Sequence, residues 1–229
     1  MHIPDGFLST PVAVSTYAAS AVAVAYAARR AGAALDDKKV PLLGVTAAFI
    51  FAAQMLNFPV AGGTSGHFLG AALATILLGP WLACIVIAVV LTGQAFIFAD
   101  GGLTALGAGI LAMAVIAPAV TVAIMTVAGR VSRSRGAFLG ATAASSWISI
   151  MLAATAISAF LAVSDTIPFG TVLPAMLGVH ALIGIGEAVI TTAAIAAVLV
   201  SRPDLVDGAG FPPPVAAPAE AAPGVAVSS

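Results

Sequence analysis

The amino-acid sequence predicts an all-α polytopic membrane protein with seven transmembrane helices, an outer N-terminus and a cytoplasmic C-terminus. Three observations support this prediction. Of the 229 residues, 61% are hydrophobic and 7% are charged, whereas about a quarter of residues in a soluble domain carry charge. The charged residues leave long apolar runs between them, and the basic residues gather in three short segments. The formal net charge of -1 also excludes a surface built to bind nucleic acid.

The apolar runs define the predicted helices. Five runs contain no Asp, Glu, Lys or Arg: residues 6–28, 40–99, 101–129, 136–164 and 166–186. A transmembrane helix needs about 20 apolar residues, so the first, third and fourth runs each predict one span. The fifth continues past Glu187 to Val200 and predicts one long helix. The second run divides into three spans, because breakers occur at Asn57 to Pro59 with Gly62 and Gly63, and again at Gly79 and Pro80.

The basic residues predict the orientation, because Lys and Arg collect in short cytoplasmic loops. Seven spans with an outer N-terminus place all three clusters on the cytoplasmic side: Arg29, Arg30, Lys38 and Lys39; Arg130, Arg133 and Arg135; and Arg202. The outer loops then carry Asp5, Asp100 and Asp165 and no cation, which favours the approach of cations.

The chain is predicted to form one transmembrane domain, residues 1–202, followed by a disordered cytoplasmic tail. Residues 203–229 contain six of the fourteen prolines and are otherwise rich in Ala, a composition that buries too little surface to offset its ordering entropy. At the other end, residues 1–10 lack the basic residues of a secretory signal. We therefore expect Met1 to remain the first residue.

Two histidines are candidate metal ligands. The amine of Met1, the amide nitrogen of His2 and the His2 imidazole can close two adjacent chelate rings on one ion. A fourth nitrogen completes the square-planar set that suits Ni(II) or Cu(II), and amine and imidazole donors also suit Co(II). His67 follows the second predicted span and so lies on the same outer side. The alternative is that His2 is incidental and that His67 caps a helix or contacts the backbone.

Three further polar residues allow two interpretations each. His180 and Glu187 are seven positions apart and therefore share one helical face inside the bilayer. They predict either a proton or ion path or two hydrogen bonds that fix helix packing. Asp100 is either a carboxylate behind the outer site or the polar end of a helix.

The sequence predicts no enzyme. It contains no P-loop, no HExxH zinc motif and no GxSxG with triad partners, so ATP hydrolysis and nucleophilic catalysis lack their residues. The single cysteine, Cys84, excludes a disulfide framework within the chain.

Four separated motifs resemble the CbiM/NikM family, the substrate-binding membrane subunits (S components) of cobalt and nickel energy-coupling factor (ECF) importers, a class of ABC transporter. The motifs are MHIPDGFLS at 1–9, GTSGH at 63–67, DGGLTALG at 100–107 and HALIGIGE at 180–187. The resemblance extends from Met1 to about Val200. After Gly107 the family often has an Asn-containing stretch, which residues 108–113 lack.

The resemblance implies a seven-helix subunit in the plasma membrane of a prokaryote, without a cofactor of its own. Carried over, the ligands of the transported Ni²⁺ or Co²⁺ are the amine of Met1, the amide nitrogen and imidazole of His2, and His67. The implied partners are a transmembrane coupling (T) subunit, cytoplasmic ATPase subunits and a small separate membrane subunit. The choice between nickel and cobalt stays open.

Two other function classes are compatible with the composition. A proton-coupled secondary transporter of a small substrate would use Glu187 and His180 and would not need His2. A structural membrane scaffold would use none of these side chains beyond stability.

Overall fold

The computed structural model describes residues 1–32, 35, 39–60 and 64–212. Within these residues the chain forms eight α-helices, one π-helical segment, a 3-10 turn and one hairpin. The helices are α1 Thr10–Ala31, α2 Lys39–Gln54, α3 Ala71–Leu78, α4 Pro80–Ile97, α5 Leu106–Ile110, α6 Ala117–Val131, α7 Arg135–Val163 and α8 Phe169–Ser201.

Five helical segments are long and apolar enough to cross a membrane: α1, α4, the continuous segment Leu106–Val131, α7 and α8. They correspond to predicted spans, and α8 confirms the single long helix expected beyond Glu187. The predicted second and third spans correspond to shorter helices, since α2 has 16 residues and α3 has 8. The count of seven and the orientation stay predictions.

The short helix α3 lies at the centre of the protein. All eight of its residues are buried, and it packs against α2, α4, α6, α7 and α8. Glycines with positive φ allow the chain to enter and leave it, at Gly70 (φ 76°) and Gly79 (φ 81°). A Cβ at Gly70 would lie 2.7 Å from the Ile50 side chain, so close packing against α2 also requires glycine at position 70.

The third long segment changes its helical type in the middle. A π-helical stretch, Leu111–Ile116, connects α5 to α6. Pro118 follows this stretch and lacks the N–H of a regular helical turn, while its ring crowds the carbonyl four residues earlier. The wider π turn accommodates both effects within a continuous helix.

The sequence analysis did not predict the hairpin that precedes α3. Strand β1, Phe58–Val60, pairs antiparallel with β2, Thr64–Gly66, with Phe58 opposite Gly66. The breakers Gly62 and Gly63 lie outside the described residues. The hairpin lies between α2 and His67 in the chain.

The first part of the predicted tail belongs to the fold. Residues 203–205 form a 3-10 turn, and Val206, Ala209 and Phe211 are buried. Phe211 packs edge-on against Phe138 with ring centroids 5.0 Å apart. The structure thus differs from the prediction of disorder between 203 and 212, because three apolar side chains find partners there; residues 213–229 lie outside the described residues.

Candidate metal site

The N-terminal segment before α1 is fastened to the loop after α4. The N–H of Gly102 donates to the Ile3 carbonyl at 2.8 Å. Asp5 Oδ1 accepts from both the backbone N–H and the hydroxyl of Thr104, each at 2.7 Å. A Cβ at Gly102 would collide with the backbone nitrogen of Asp5. The glycine therefore permits the close approach that brings the chain's first residues into the protein.

The first two residues are enclosed by this arrangement. Met1 is 0% exposed, and the His2 side chain is 9% exposed. The backbone N–H of His2 donates to Ser65 Oγ at 3.1 Å. The N-terminus thus contacts the second hairpin strand, two residues before His67.

His2 and His67 meet directly. Their rings stack with centroids 4.6 Å apart and an interplanar angle of 24°. The Nδ1 atom of His67 lies 2.7 Å from the Phe68 carbonyl oxygen, a geometry that assigns the proton to Nδ1 because a carbonyl accepts only. Its Nε2 is then an acceptor, and that atom is buried without a hydrogen-bond partner.

Asp100 lies behind the His2 ring. Its Oδ2 is 3.5 Å from His2 Nε2 and accepts a hydrogen bond from Asn57 Nδ2 at 2.9 Å. A carboxylate in this place orients an imidazole and favours metal ligation through the other ring nitrogen. That other nitrogen, Nδ1, is the one that can close a chelate ring with the His2 amide. Gly101 passes close to it, since a Cβ there would be 2.9 Å from Nδ1.

Burial keeps the candidate donors uncharged. Desolvation holds the pKa of the Met1 amine well below its ordinary value, although Asp100 opposes this effect. Desolvation, reinforced by the nearby amino terminus, lowers the pKa of His2 to about 2. The same two causes hold the pKa of His67 well below its ordinary value. The lowered pKa values favour the neutral nitrogens, whose lone pairs a metal ion needs.

A small cavity adjoins Met1 and His2, and His67 is not among the residues that line it. This cavity of about 20 Å³ is lined by Met1, His2, Asp100, Gly101 and Met113, among others, which is about the space that one water molecule occupies. A wider, open cleft reaches His2 from outside, beside Ser65 and Leu103. The cleft connects His2 to solvent.

His180 and Glu187 occupy different places on α8. His180 Nδ1 lies 2.7 Å from the carbonyl oxygen of Met176, one turn earlier, while its Nε2 is buried without a partner. Glu187 accepts two backbone hydrogen bonds, from Leu69 and Gly70. No hydrogen bond joins His180 to Glu187, so the geometry gives no direct proton relay between them.

The structure brings together Met1, His2, His67 and Asp100, which the sequence singled out separately. Sequence analysis missed the contributions of Asn57, Ser65 and the two glycines 101 and 102. Among the residues that the structure describes, no group of three His, Cys, Asp or Glu side chains has metal-binding spacing. The candidate set depends instead on main-chain nitrogens, namely the terminal amine and the His2 amide.

Comparison with known proteins decides the family. The CbiM family, described as the cobalt uptake substrate-specific transmembrane region, matches residues 2–205. The chain belongs to the CbiM family. The resemblance to CbiM/NikM proteins is confirmed, and the chain is a membrane protein of cobalt or nickel transport rather than an enzyme.

Relatives of this CbiM-family chain carry names for both metals. It is 41% identical over 208 residues to a putative metal transport protein of Haloquadratum walsbyi, covering 90% of this chain and 93% of that one. It is 41% identical over 214 residues to a putative fused nickel transport protein NikMN of Archaeoglobus fulgidus, covering 93% of this chain and 70% of the relative. A cobalt transport protein CbiM 2 of Pelobacter propionicus is 39% identical over 151 residues, covering 62% of this chain and 65% of the relative.

Solved structures share the fold. The crystal structure of a truncated transition metal transporter superposes with a TM-score of 0.80 at 34% identity, covering 88% of this chain and 99% of that one. A second transition metal transporter gives the same TM-score at 33% identity, covering 88% of this chain and 93% of that one.

Proposed function

We propose that this CbiM-family chain is the substrate-capture subunit of an energy-coupling factor importer for Ni²⁺ or Co²⁺. The ion is held by the Met1 amine, the His2 amide nitrogen and imidazole, and the His67 imidazole. The observation that carries this proposal is the contact of the His2 and His67 rings, with the unpartnered Nε2 of His67 buried beside a buried amino terminus. Imidazole nitrogen suits both metals.

Each proposed donor has support from its surroundings. The Phe68 carbonyl fixes the proton of His67 on Nδ1, which leaves the lone pair of Nε2 free to bind the metal ion. Asp100 behind His2 favours donation from Nδ1. Ser65 lies at hydrogen-bond distance from the His2 amide nitrogen. The Ser65 oxygen accepts the N–H of this amide and therefore lies in the direction in which the ion would replace the proton, which would be released to solvent.

Seven crossings with the N-terminus outside fit the contacts of the shorter elements. Asn57, beyond the end of α2, reaches Asp100, whereas Lys39 at the start of α2 pairs with Asp207 beyond α8 at 3.7 Å. The two ends of α2 thus contact opposite ends of the long helices. The chain that continues from β2 through α3 ends beside the segment after α8, because the Gly208 N–H donates to the Ile76 carbonyl of α3 at 2.9 Å.

ATP hydrolysis by partners is part of the proposal. The sequence contains no P-loop, so a transmembrane coupling subunit and cytoplasmic ATPases would supply the energy, with a small membrane subunit as a separate chain. The proposed location is the plasma membrane of a prokaryote. Neither donor set nor geometry separates nickel from cobalt, since both accept nitrogen ligands.

The test is calorimetric titration of purified protein with Ni²⁺ and with Co²⁺, comparing the native start with a chain extended by one glycine before Met1. The extension keeps every side chain but displaces the free amine and changes its chelate ring. A matched control carries one extra glycine after Ser229. We expect tight binding by the native and control chains and its loss in the N-terminally extended chain and in His67→Ala. Equal binding by the extended and native chains overturns the proposed ligand set.

A further inference from the structure

One face of α8 lies along the whole segment that carries His67. At its upper end Thr64 Oγ1 donates to Met176 Sδ at 3.2 Å. In the middle, a Cβ at Gly66 would be 2.9 Å from Ile183 Cδ1, so the absence of a side chain lets the strand rest on the helix. At the lower end Glu187 meets the start of α3. The three contacts extend over eleven positions of α8 and therefore fix the entire segment 64–70 rather than one point of it.

Glu187 makes the strongest of these contacts. Its side chain is 1% exposed, in a helix that is otherwise almost entirely apolar. Oε2 accepts the backbone N–H of Leu69 and Oε1 that of Gly70, both at 2.9 Å. Leu69 and Gly70 directly precede the first residue of α3, Ala71, and a carboxylate at the N-terminal end of a helix is further stabilised by the helix dipole. The carboxylate therefore holds the segment leading into α3 at two points.

The turn that Glu187 holds is the turn that aims His67. Gln54 Nε2 donates to the Leu69 carbonyl at 2.7 Å, so the peptide groups of Leu69 are held on both sides. One residue earlier, the Phe68 carbonyl accepts from His67 Nδ1 and so fixes the ring orientation. Moving the Leu69 amide would shift the Phe68 carbonyl, and with it the direction of His67 Nε2.

We propose that Glu187 is a positioning residue of the metal site, which holds His67 in place as the fourth nitrogen without touching the ion. This inference depends on the proposed function. It replaces the proton-path interpretation of Glu187, because both carboxylate oxygens already accept backbone N–H groups and no hydrogen bond connects Glu187 to His180. It also makes α8 the element that sets the shape of the site.

The informative substitution is Glu187→Gln, which keeps the side-chain size. A glutamine has one acceptor oxygen, and its NH₂ group would face a second N–H donor, so one of the two bonds becomes unfavourable. Loss of a residue that orients a metal ligand typically weakens metal affinity about 10- to 100-fold. Glu187→Asp keeps the carboxylate but is one methylene shorter, so its affinity is expected between those of Glu187→Gln and the unchanged chain.

The control is Thr191→Val, one helical turn further along the same face. Thr191 is buried, and its hydroxyl has no hydrogen-bond partner. The substitution therefore alters polarity at a similar depth of α8 without removing a hydrogen bond to segment 64–70. It is expected to leave metal affinity within about threefold of the unchanged chain.

The experiment measures Ni²⁺ affinity of the full-length chains and counts nitrogen ligands by electron paramagnetic resonance of bound Cu²⁺. Glu187→Gln is expected to bind nickel at least 10-fold more weakly and to give a copper spectrum with three nitrogens, like that of His67→Ala. Because Glu187 acts through His67, adding Glu187→Gln to His67→Ala should cause no further loss of affinity. A general packing defect would instead lower affinity in both backgrounds.

Three results would overturn the inference. They are nickel affinity of folded Glu187→Gln within threefold of the unchanged chain, a four-nitrogen copper spectrum in that variant, or additive losses in the double variant. If Glu187→Gln does not fold, Glu187→Asp provides the same comparison. Failure of this inference would leave two results intact: tight nickel binding by the unchanged chain and its loss in His67→Ala. Failure of the proposed function would remove both of these results.

Discussion

Nickel binding at pH 7 is expected to release about one proton per ion. The number follows from the protonation of the four proposed donors before binding. In solvent at pH 7, an amine with a pKa of 8.0 and an imidazole with a pKa of 6.5 carry about 0.9 and 0.24 proton, respectively. With the amide proton, an exposed set of one amine, one amide and two imidazoles would release about 2.4 protons.

The buried site removes most of these protons in advance. Because burial lowers the pKa of the Met1 amine, His2 and His67, these donors carry fewer protons at pH 7 than an exposed set would. The expected release is therefore close to the single proton of the His2 amide. It should also rise less towards pH 6 than the release from an exposed set. Nickel affinity should accordingly fall about tenfold per pH unit.

The assay is calorimetry at fixed pH in buffers that differ in ionisation enthalpy. The slope of observed enthalpy against buffer ionisation enthalpy gives the number of protons released. The four-residue peptide Met-His-Ile-Pro is the control, because its exposed amine, amide and single imidazole should release about two protons at pH 7. A slope of two or more for the protein would refute the argument that burial neutralises the donors. A slope of zero would refute coordination by the His2 amide.

Three further predictions concern the loop after α4 and the packing of α5. Gly101→Ala should abolish tight nickel binding in calorimetry, because the methyl group would lie 2.9 Å from Nδ1 of His2; retained affinity would argue against that nitrogen as a ligand. Asp100→Asn should weaken nickel affinity about 10-fold in a chelator competition, because His2 loses the carboxylate that orients it. An unchanged dissociation constant for nickel would contradict this. Gly107→Ala should lower the thermal unfolding temperature, because its Cβ would lie 2.6 Å from the backbone of α1. Gly109→Ala should not lower it, because that Cβ would contact only the end of a methionine side chain at 3.5 Å. Equal shifts in unfolding temperature for the two variants would refute this reasoning.

The long helices could be predicted because charged residues, and for the start of α4 the breakers Gly79 and Pro80, mark their boundaries. The resulting runs correspond to α1, α4, α7, α8 and the segment from 106 to 131. The hairpin could not be found this way. Each of its strands has only three residues, too few to show alternation of polar and apolar side chains. The 8 residues of α3 are likewise too few to show a helical period.

The site was predictable to the extent that side chains define it. The resemblance named Met1, His2 and His67, and the predicted topology placed His2 and His67 on one side of the membrane. The partners of Glu187 could not be inferred, because they are backbone N–H groups that every residue except proline possesses. The spacing from His180 showed only that both residues share a face of α8. Which segment that face meets depends on tertiary packing.

The ordered residues after Arg202 determine where this protein can be shortened. Composition suggests a boundary at Pro203, yet Gly208 N–H donates to the Ile76 carbonyl of α3 at 2.9 Å, and Phe211 is buried against Phe138. Removal of one such aromatic side chain forfeits about 1.5–3 kcal/mol of burial. A chain cut before Val206 would therefore expose apolar surface near α6 and α7. Among the described residues, buried side chains continue to Phe211, well past the Pro203 boundary that composition suggests.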